Sequence, residues 1–196
     1  AGKHVLTEAR MAMNAVEGQA MIDASRERPE LVAQIVPAPF TFKWDATIKA
    51  VLDSGDLGDL REIRSIKTLP MNVDSSAPLS WRQNIEYSGN NAMMLGIYYE
   101  VVQRWIQRQP SRVWAYGRVF SENRFDPETS TDQTVRIPES LTYTAVYDDG
   151  LHLTGLMTGI ELGNGRDEYA ISGSKGTLRL DLQTGTLYET LIGETE

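Results

Sequence analysis

The residue types able to do chemistry are few in this chain, and their scarcity narrows the function. There is no cysteine, so a thiolate nucleophile, a disulfide framework and a thiolate metal site are all excluded. The two histidines, His4 and His152, lie far apart in sequence, which does not suit a zinc site. His152 falls between Leu151 and Leu153 and reads as a sheet residue. No nucleophile–base motif is present. A phosphate-cradling G-x-G-x-x-G is also missing, because Gly163-Asn164-Gly165 lacks the third glycine and precedes a strand. What remains is aromatic and cationic. Trp81 and Arg82 either wall a ligand pocket by stacking and charge, or pack a ring on a sheet beside an exposed guanidinium. Tyr87, Tyr98 and Tyr99 cluster near one helix end, where they form a sugar-stacking wall or fill the core.

These residues sit in residues 79–105, the stretch that organises the chain. From Ala92 onward, Glu100, Gln103, Arg104, Gln107 and Arg108 recur at helical spacing, which predicts a narrow solvent stripe on an otherwise buried helix. Asn90 or Asn91 is expected to cap it, and Pro110 lies beyond its end. Its free first-turn amides suit an anion or a polar ligand. Upstream, residues 3–6 read as a short buried strand. Residues 14–26 form a helix with Val16, Ala20, Met21 and Ala24 inward, Asn14 as cap and Glu17 completing a capping box. Residues 31–36 form a second strand. Strand, helix, strand over this distance is a βαβ unit and implies a parallel pair. Residues 45–54 are helical and stop at Gly55, and residues 60–69 favour a strand. Strands follow at 113–120, 141–147, 151–158, 168–172, 177–182 and 186–191, with turns at Asp148-Asp149-Gly150, Gly173 to Gly176 and Thr184-Gly185. Residues 122–133 read as a polar loop. The fold class is α+β, an open and mostly antiparallel sheet packed on helices, with residues 1–38 as the βαβ part and residues 39–196 as the sheet domain.

Length and charge bound the partners. With 196 residues the chain can bury a sizeable core without staples. The formal charge of −8, without a basic block, argues against nucleic acid. No apolar run is long enough to span a membrane, and a cytoplasmic location is expected. The opening Ala-Gly-Lys, without an initiator Met, suggests a sequence that begins inside a longer gene product.

Four segments, in order, carry a resemblance. Gly2-Lys3-His4-Val5-Leu6-Thr7-Glu8 with Met11-Ala12 resembles the "GKHVLCEKPxA" segment of the glucose–fructose oxidoreductase, inositol dehydrogenase and rhizopine-catabolism (Gfo/Idh/MocA) family. Ser54-Gly55-Asp56-Leu57-Gly58-Asp59-Leu60 resembles its "SGELGEI" turn. Trp81-Arg82, Ser88-Gly89 and Gly96 resemble "WR…GGGxLxDxGxH", and residues 171–178 resemble its "GTKGTL" hairpin. The resemblance implies an N-terminal Rossmann domain and a C-terminal α+β domain. It also implies hydride transfer between NAD or NADP and a sugar- or cyclitol-like alcohol.

The implied chemistry is incomplete position by position. The family Lys aligns with Ala9 and its Pro with Arg10, while the helix Asp aligns with Met94 and its His with Tyr98. Positions 94 and 98 are i and i+4 and share a helix face, which here offers a thioether and a phenol. A phenol with an ordinary pKa of about 10 must be lowered, usually by a cation, to work near neutrality. Tyr98 with Arg10 is therefore the catalytic pair that the resemblance leaves, and Glu8, Trp81 and Arg82 are its cofactor-binding candidates. The expectation is an oxidoreductase fragment with degraded catalytic positions and poor NAD(P) binding, or else a non-catalytic oligomerising or ligand-binding module. A small polyol or sugar is the expected ligand. A homodimer through the sheet face is expected, because the strands at 141–147 and 151–157 carry apolar or aromatic residues at both parities.

Overall fold

Residues 2–92 and 94–193 are described in the structure, a computed structural model. The chain opens with β1 (Val5–Thr7), α1 (Ala15–Arg26) and β2 (Ala33–Ile35), and the two strands pair in parallel with Val5 opposite Ala33. Asn14 caps α1 by accepting from the Glu17 N–H at 3.0 Å, while the Glu17 carboxylate reaches the Met13 N–H at 2.9 Å, one residue before the cap. The expected burial is not found here. No residue of α1 is buried, Val16 is 80% exposed, and in β1 Leu6 is 68% exposed. Among the described residues no second layer packs on these two strands and one helix, and their apolar faces are exposed.

The remainder is built on seven strands. After α2 (Phe42–Ser54) come β3 (Leu60–Thr68), α3 (Ile85–Ser88), α4 (Leu95–Ile106) and β4 (Arg112–Arg118). β5 (Asn123–Asp126) and β6 (Thr131–Thr134) form a separate hairpin. β7 (Ser140–Val146), β8 (His152–Thr158), β9 (Asp167–Gly173), β10 (Gly176–Asp181) and β11 (Thr186–Leu191) complete the sheet. Its order is β11-β10-β9-β3-β8-β7-β4, and every neighbouring pair is antiparallel except β3 with β8. The fold is thus α+β with a mixed, mostly antiparallel sheet.

Register puts Ala145, Leu153, Ile63, Ile171 and Leu178 in one row across the sheet. That row is buried with Ile48 of α2 and Val101, Val102 and Trp105 of α4, so the core lies between the sheet and these two helices. The adjacent row, Trp114, Thr144, Thr154, Arg64, Ala170, Arg179 and Tyr188, points to the opposite face. Gly155 beside it is required by packing, since a Cβ there would lie 1.9 Å from the Tyr143 ring. Helix α2 ends as expected at Gly55, which has a left-handed φ of 76°.

Four readings need correction. The helix expected from Ala92 runs through Met93, outside the described residues, and α4 itself starts at Leu95 with Met94 as a cap that makes no side-chain bond. Asn91 does not cap it; its amide donates to the carbonyls of Ala12 and Ser88. The polar stripe of α4 is not a solvent face for most of its length. Arg104 bonds Glu100 at 2.8 Å, Asp45 at 3.1 Å, Thr41 Oγ1 at 2.7 Å and the Ala38 carbonyl at 3.0 Å, while Trp105 Nε1 donates to Asp45 at 2.7 Å. Charges spaced for solvent were spaced equally well for a seam joining α4 to α2. Finally, the polar segment at 122–133 is the β5–β6 hairpin, and it is anchored by a buried charge.

Candidate ligand-binding cleft

A cleft of about 520 Å³ opens between the carboxyl ends of β1 and β2 and the first turns of α4. This is where α/β units place ligands, because the chain leaves each parallel strand there into a connection free to carry side chains. Ala9 and Arg10 follow β1, Pro37 follows β2, Met94 caps α4 and Ile97 lies in its first turn. Trp81 and Arg82 arrive on the long loop between β3 and α3.

Two attachments fix these walls. Gly89, at φ 60°, lies so close to residue 13 that a Cβ would meet the Met13 carbonyl at 2.0 Å, and Asn90 N–H donates to that carbonyl at 3.2 Å. With the Asn91–Ala12 bond at 3.2 Å, this fastens the segment carrying Arg10 to the approach of α4. The β3–α3 loop is held from its other side by Arg124 of β5. Its guanidinium donates to the carbonyls of Asn72 (3.3 Å), Asp74 (2.8 Å) and Ala77 (2.9 Å) and pairs with Glu139 at 3.0 Å. Glu139 also accepts from the N–H groups of Phe120 (2.7 Å) and Ser121 (2.8 Å), and Gln83, next to Arg82, takes the Ser80 N–H at 3.2 Å. Sequence reasoning missed this clamp. An alternation of buried Arg124 and Asp126 with exposed Asn123 and Phe125 inverts the usual pattern, and only the turn-forming Asp126-Pro127 hinted at a hairpin.

Arg10, Trp81 and Arg82 are brought together. The Arg82 guanidinium lies 4.3 Å from the Trp81 ring centroid and that of Arg10 lies 5.6 Å from it. Arg10 Nη1 also donates to the Arg82 carbonyl at 3.3 Å. Partial burial, and then the positive charge of Arg82, depress the pKa of Arg10. Trp81 is 46% exposed, so it is a cleft wall rather than a ring buried against the sheet.

Glu8 and Tyr98 are not part of this group. Glu8 is exposed and does not line the cleft. Tyr98 is fully buried in the core between Phe40 and Tyr169, with ring centroids 5.1 and 5.7 Å away. Its hydroxyl donates to Asp167 Oδ1 at 2.6 Å, and the other oxygen of Asp167 pairs with Lys67. Burial, then the hydrogen bond to Asp167 and its charge, push the phenol far above its ordinary range. That shift is opposite to the one a general base requires. Nor do the three tyrosines form one wall: Tyr87 lies exposed on the far side of the loop, with its hydroxyl 3.0 Å from Glu128.

The nicotinamide cofactor that such a fold implies is not well matched by these residues. The connection from β1 to α1, residues 8–14, contains no glycine. Asn14 occupies one N–H of the first turn of α1, that of Glu17, and the Glu17 carboxylate at the same end repels a pyrophosphate. Among the described residues no group of His, Cys, Asp and Glu could hold a metal ion, and no helix is long and apolar enough to cross a membrane.

Comparison with known proteins places this geometry. No curated protein matches the chain in sequence. Solved structures do match in fold. An NAD binding oxidoreductase from Klebsiella pneumoniae is similar at 22% identity and a TM-score of 0.84, over 100% of this chain and 52% of that one. An oxidoreductase domain protein from Kribbella flavida is similar at 24% and 0.84, over 99% and 52%. A levoglucosan dehydrogenase in complex with NADH and L-sorbose is similar at 19% and 0.85, over 99% and 52%. The chain spans about half the length of these proteins. The family model for the GFO/IDH/MocA C-terminal domain matches residues 46–179, more than half of the chain, from α2 through the β9–β10 hairpin that walls the core. The chain belongs to the Gfo/Idh/MocA family.

Proposed function

We propose that this chain descends from an NAD(P)-dependent oxidoreductase acting on a sugar- or cyclitol-like alcohol, and that its own cleft binds such a ligand without oxidising it. The observation that carries this reading is the placement of Tyr98. The helix face that would take the alcohol proton offers Met94 to the cleft, and the phenol below it is committed to Asp167 inside the core. Ala9 brings no cation to lower any proton acceptor. General acid–base assistance is worth about 10²–10⁴-fold, so its loss leaves at most a slow residual reaction. The levoglucosan dehydrogenase to which the chain is similar is in complex with NADH and L-sorbose, which supports a sugar-like ligand for the ancestral site. Calorimetric titration of the chain with NAD, NADP and a panel of polyols tests the reading. Binding of a polyol with weak or absent cofactor binding is expected, and micromolar binding of either cofactor overturns it.

The same reading includes a homodimer through the outer face of the sheet. Trp114 and Tyr116 of edge strand β4 are 55% and 68% exposed, and register continues the Tyr116 row through Leu156 and Ile66. A solvated face would alternate more cleanly, and such patches usually mark an interface. Equilibrium sedimentation is expected to give a dimer at micromolar concentration that Tyr116→Glu converts to monomer. A wild-type monomer refutes it.

A further inference from the structure

We infer that the ligand of this cleft carries a carboxylate, as an aldonate or a uronate does, and that the anion is held by the guanidiniums of Arg82 and Arg10. This rests on reading the cleft as a polyol site and adds the charge of the polyol. Two like charges share one aromatic ring at the mouth of a concave site, and a positive potential focused in a concave site favours an anion. The cleft's one lining carboxylate does not serve. Glu100 is engaged by Arg104 at 2.8 and 3.0 Å and by the Ala38 N–H at 3.2 Å. Arg82 makes no side-chain hydrogen bond or ion pair among the described residues, so its planar set of donors faces the cleft uncommitted. That geometry matches a carboxylate bidentately, which a lysine ammonium would not.

The arginines are held in place before any ligand arrives. Trp81 stacks against both guanidiniums, and Arg10 is tied to the Arg82 carbonyl at 3.3 Å. The loop beneath them is anchored through Asn72, Asp74 and Ala77 to buried Arg124. A fixed fork loses little conformational freedom on binding, which favours recognition over the random capture of an ion by a flexible side chain. Trp81 is thus a positioning residue, and Arg82 and Arg10 are the binding residues. The volume of about 520 Å³ is in the range of small-molecule pockets and leaves room for a sugar beyond the carboxylate.

The test is calorimetric titration with D-glucuronate, D-gluconate, neutral methyl glucoside and inorganic phosphate, on the wild-type chain and on Arg82→Gln and Arg82→Lys. At least one of the two sugar acids is expected to bind tenfold or more tightly than methyl glucoside, with affinity falling as salt rises. Arg82→Gln is expected to abolish that preference, and Arg82→Lys to restore it only in part. Equal binding of acid and neutral sugars overturns the inference, as does a preference insensitive to Arg82→Gln. Phosphate binding as tight as either acid reduces the site to a general anion site and also overturns it. In each of these cases the polyol-binding reading still stands on the neutral sugar. Turnover of a sugar acid that depends on Tyr98 would instead refute the non-catalytic reading and leave the charge assignment intact.

Discussion

Replacing Glu139 by glutamine removes the carboxylate that neutralises Arg124 where both side chains are dry, at 0% and 1% exposure. The geometry sets the cost. One oxygen of Glu139 takes the N–H groups of Phe120 and Ser121 at 2.7 and 2.8 Å, and the other takes Arg124 at 3.0 Å. An amide can present its oxygen to only one of these two sides, so its NH₂ group must face donors on the other. Arg124 keeps its three loop carbonyls but loses the carboxylate that pairs with it in the dry interior. Breaking such a pair from one side costs about 3–5 kcal/mol. In a chain of this size each kcal/mol shifts Tm by roughly 2–4 °C, so Tm should fall by about 6–20 °C. Denaturant and thermal melts of Glu139→Gln, Arg124→Met and the double variant measure this. The double variant should be more stable than the sum of the single losses predicts, because it leaves no uncompensated charge. Hydrogen exchange should also quicken in residues 72–83, the loop that carries Trp81 and Arg82. A single-variant loss below about 1 kcal/mol, or strictly additive losses, would show that the pair is not what holds this loop.

Further outcomes follow from the packing. Asp45→Ala takes the acceptor from the buried Trp105 indole and one carboxylate from Arg104; it should cost about 1–3 kcal/mol in a denaturant melt, and unchanged stability would contradict the α2–α4 seam. Burial raises the phenols of Tyr98, Tyr143 and Tyr169, and that of Tyr147 up to about 12. The unfolded value is about 10, so only the unfolded state gains by ionising between the two. Stability should therefore hold up to about pH 10 and fall above it, with tyrosinate absorbance of the buried group rising together with loss of circular dichroism. Ionisation of every phenol near pH 10 in a chain that stays folded would contradict the burial.

Much of the fold was legible because it rests on local signals. Gly55 ended α2, Asn14 opened α1, and the tight turns at Gly150, Gly173 to Gly176 and Gly185 separated strands whose apolar content was plain. Burial was less legible, because it depends on what lies opposite. Val16 and Leu6 have core-like identities but are exposed among the described residues, whereas Arg104 has a surface identity and sits in a seam. Of the site, the Trp81–Arg82 pair was legible only as two alternatives, a cleft wall or a ring packed on the sheet beside an exposed guanidinium, because an aromatic next to a cation suits either. The meeting of Arg10 with Trp81 was not legible, since it depends on Gly89 pressing against Met13, a contact between residues 76 positions apart. Helical spacing put Tyr98 on the face of Met94, and the ring turns instead into the core toward Asp167, a partner that no local pattern announces.

The central claim is that this cleft binds without proton transfer, and the most direct measurement is nicotinamide-coupled turnover of wild type beside Tyr98→Phe. The panel should include neutral polyols and sugar acids, each with NAD and with NADP in large excess over the protein. The account predicts no turnover above the protein-free rate for wild type, and for Tyr98→Phe only a loss of stability from the Asp167 contact. Turnover by the wild-type chain that Tyr98→Phe abolishes, at unchanged fold, would contradict it.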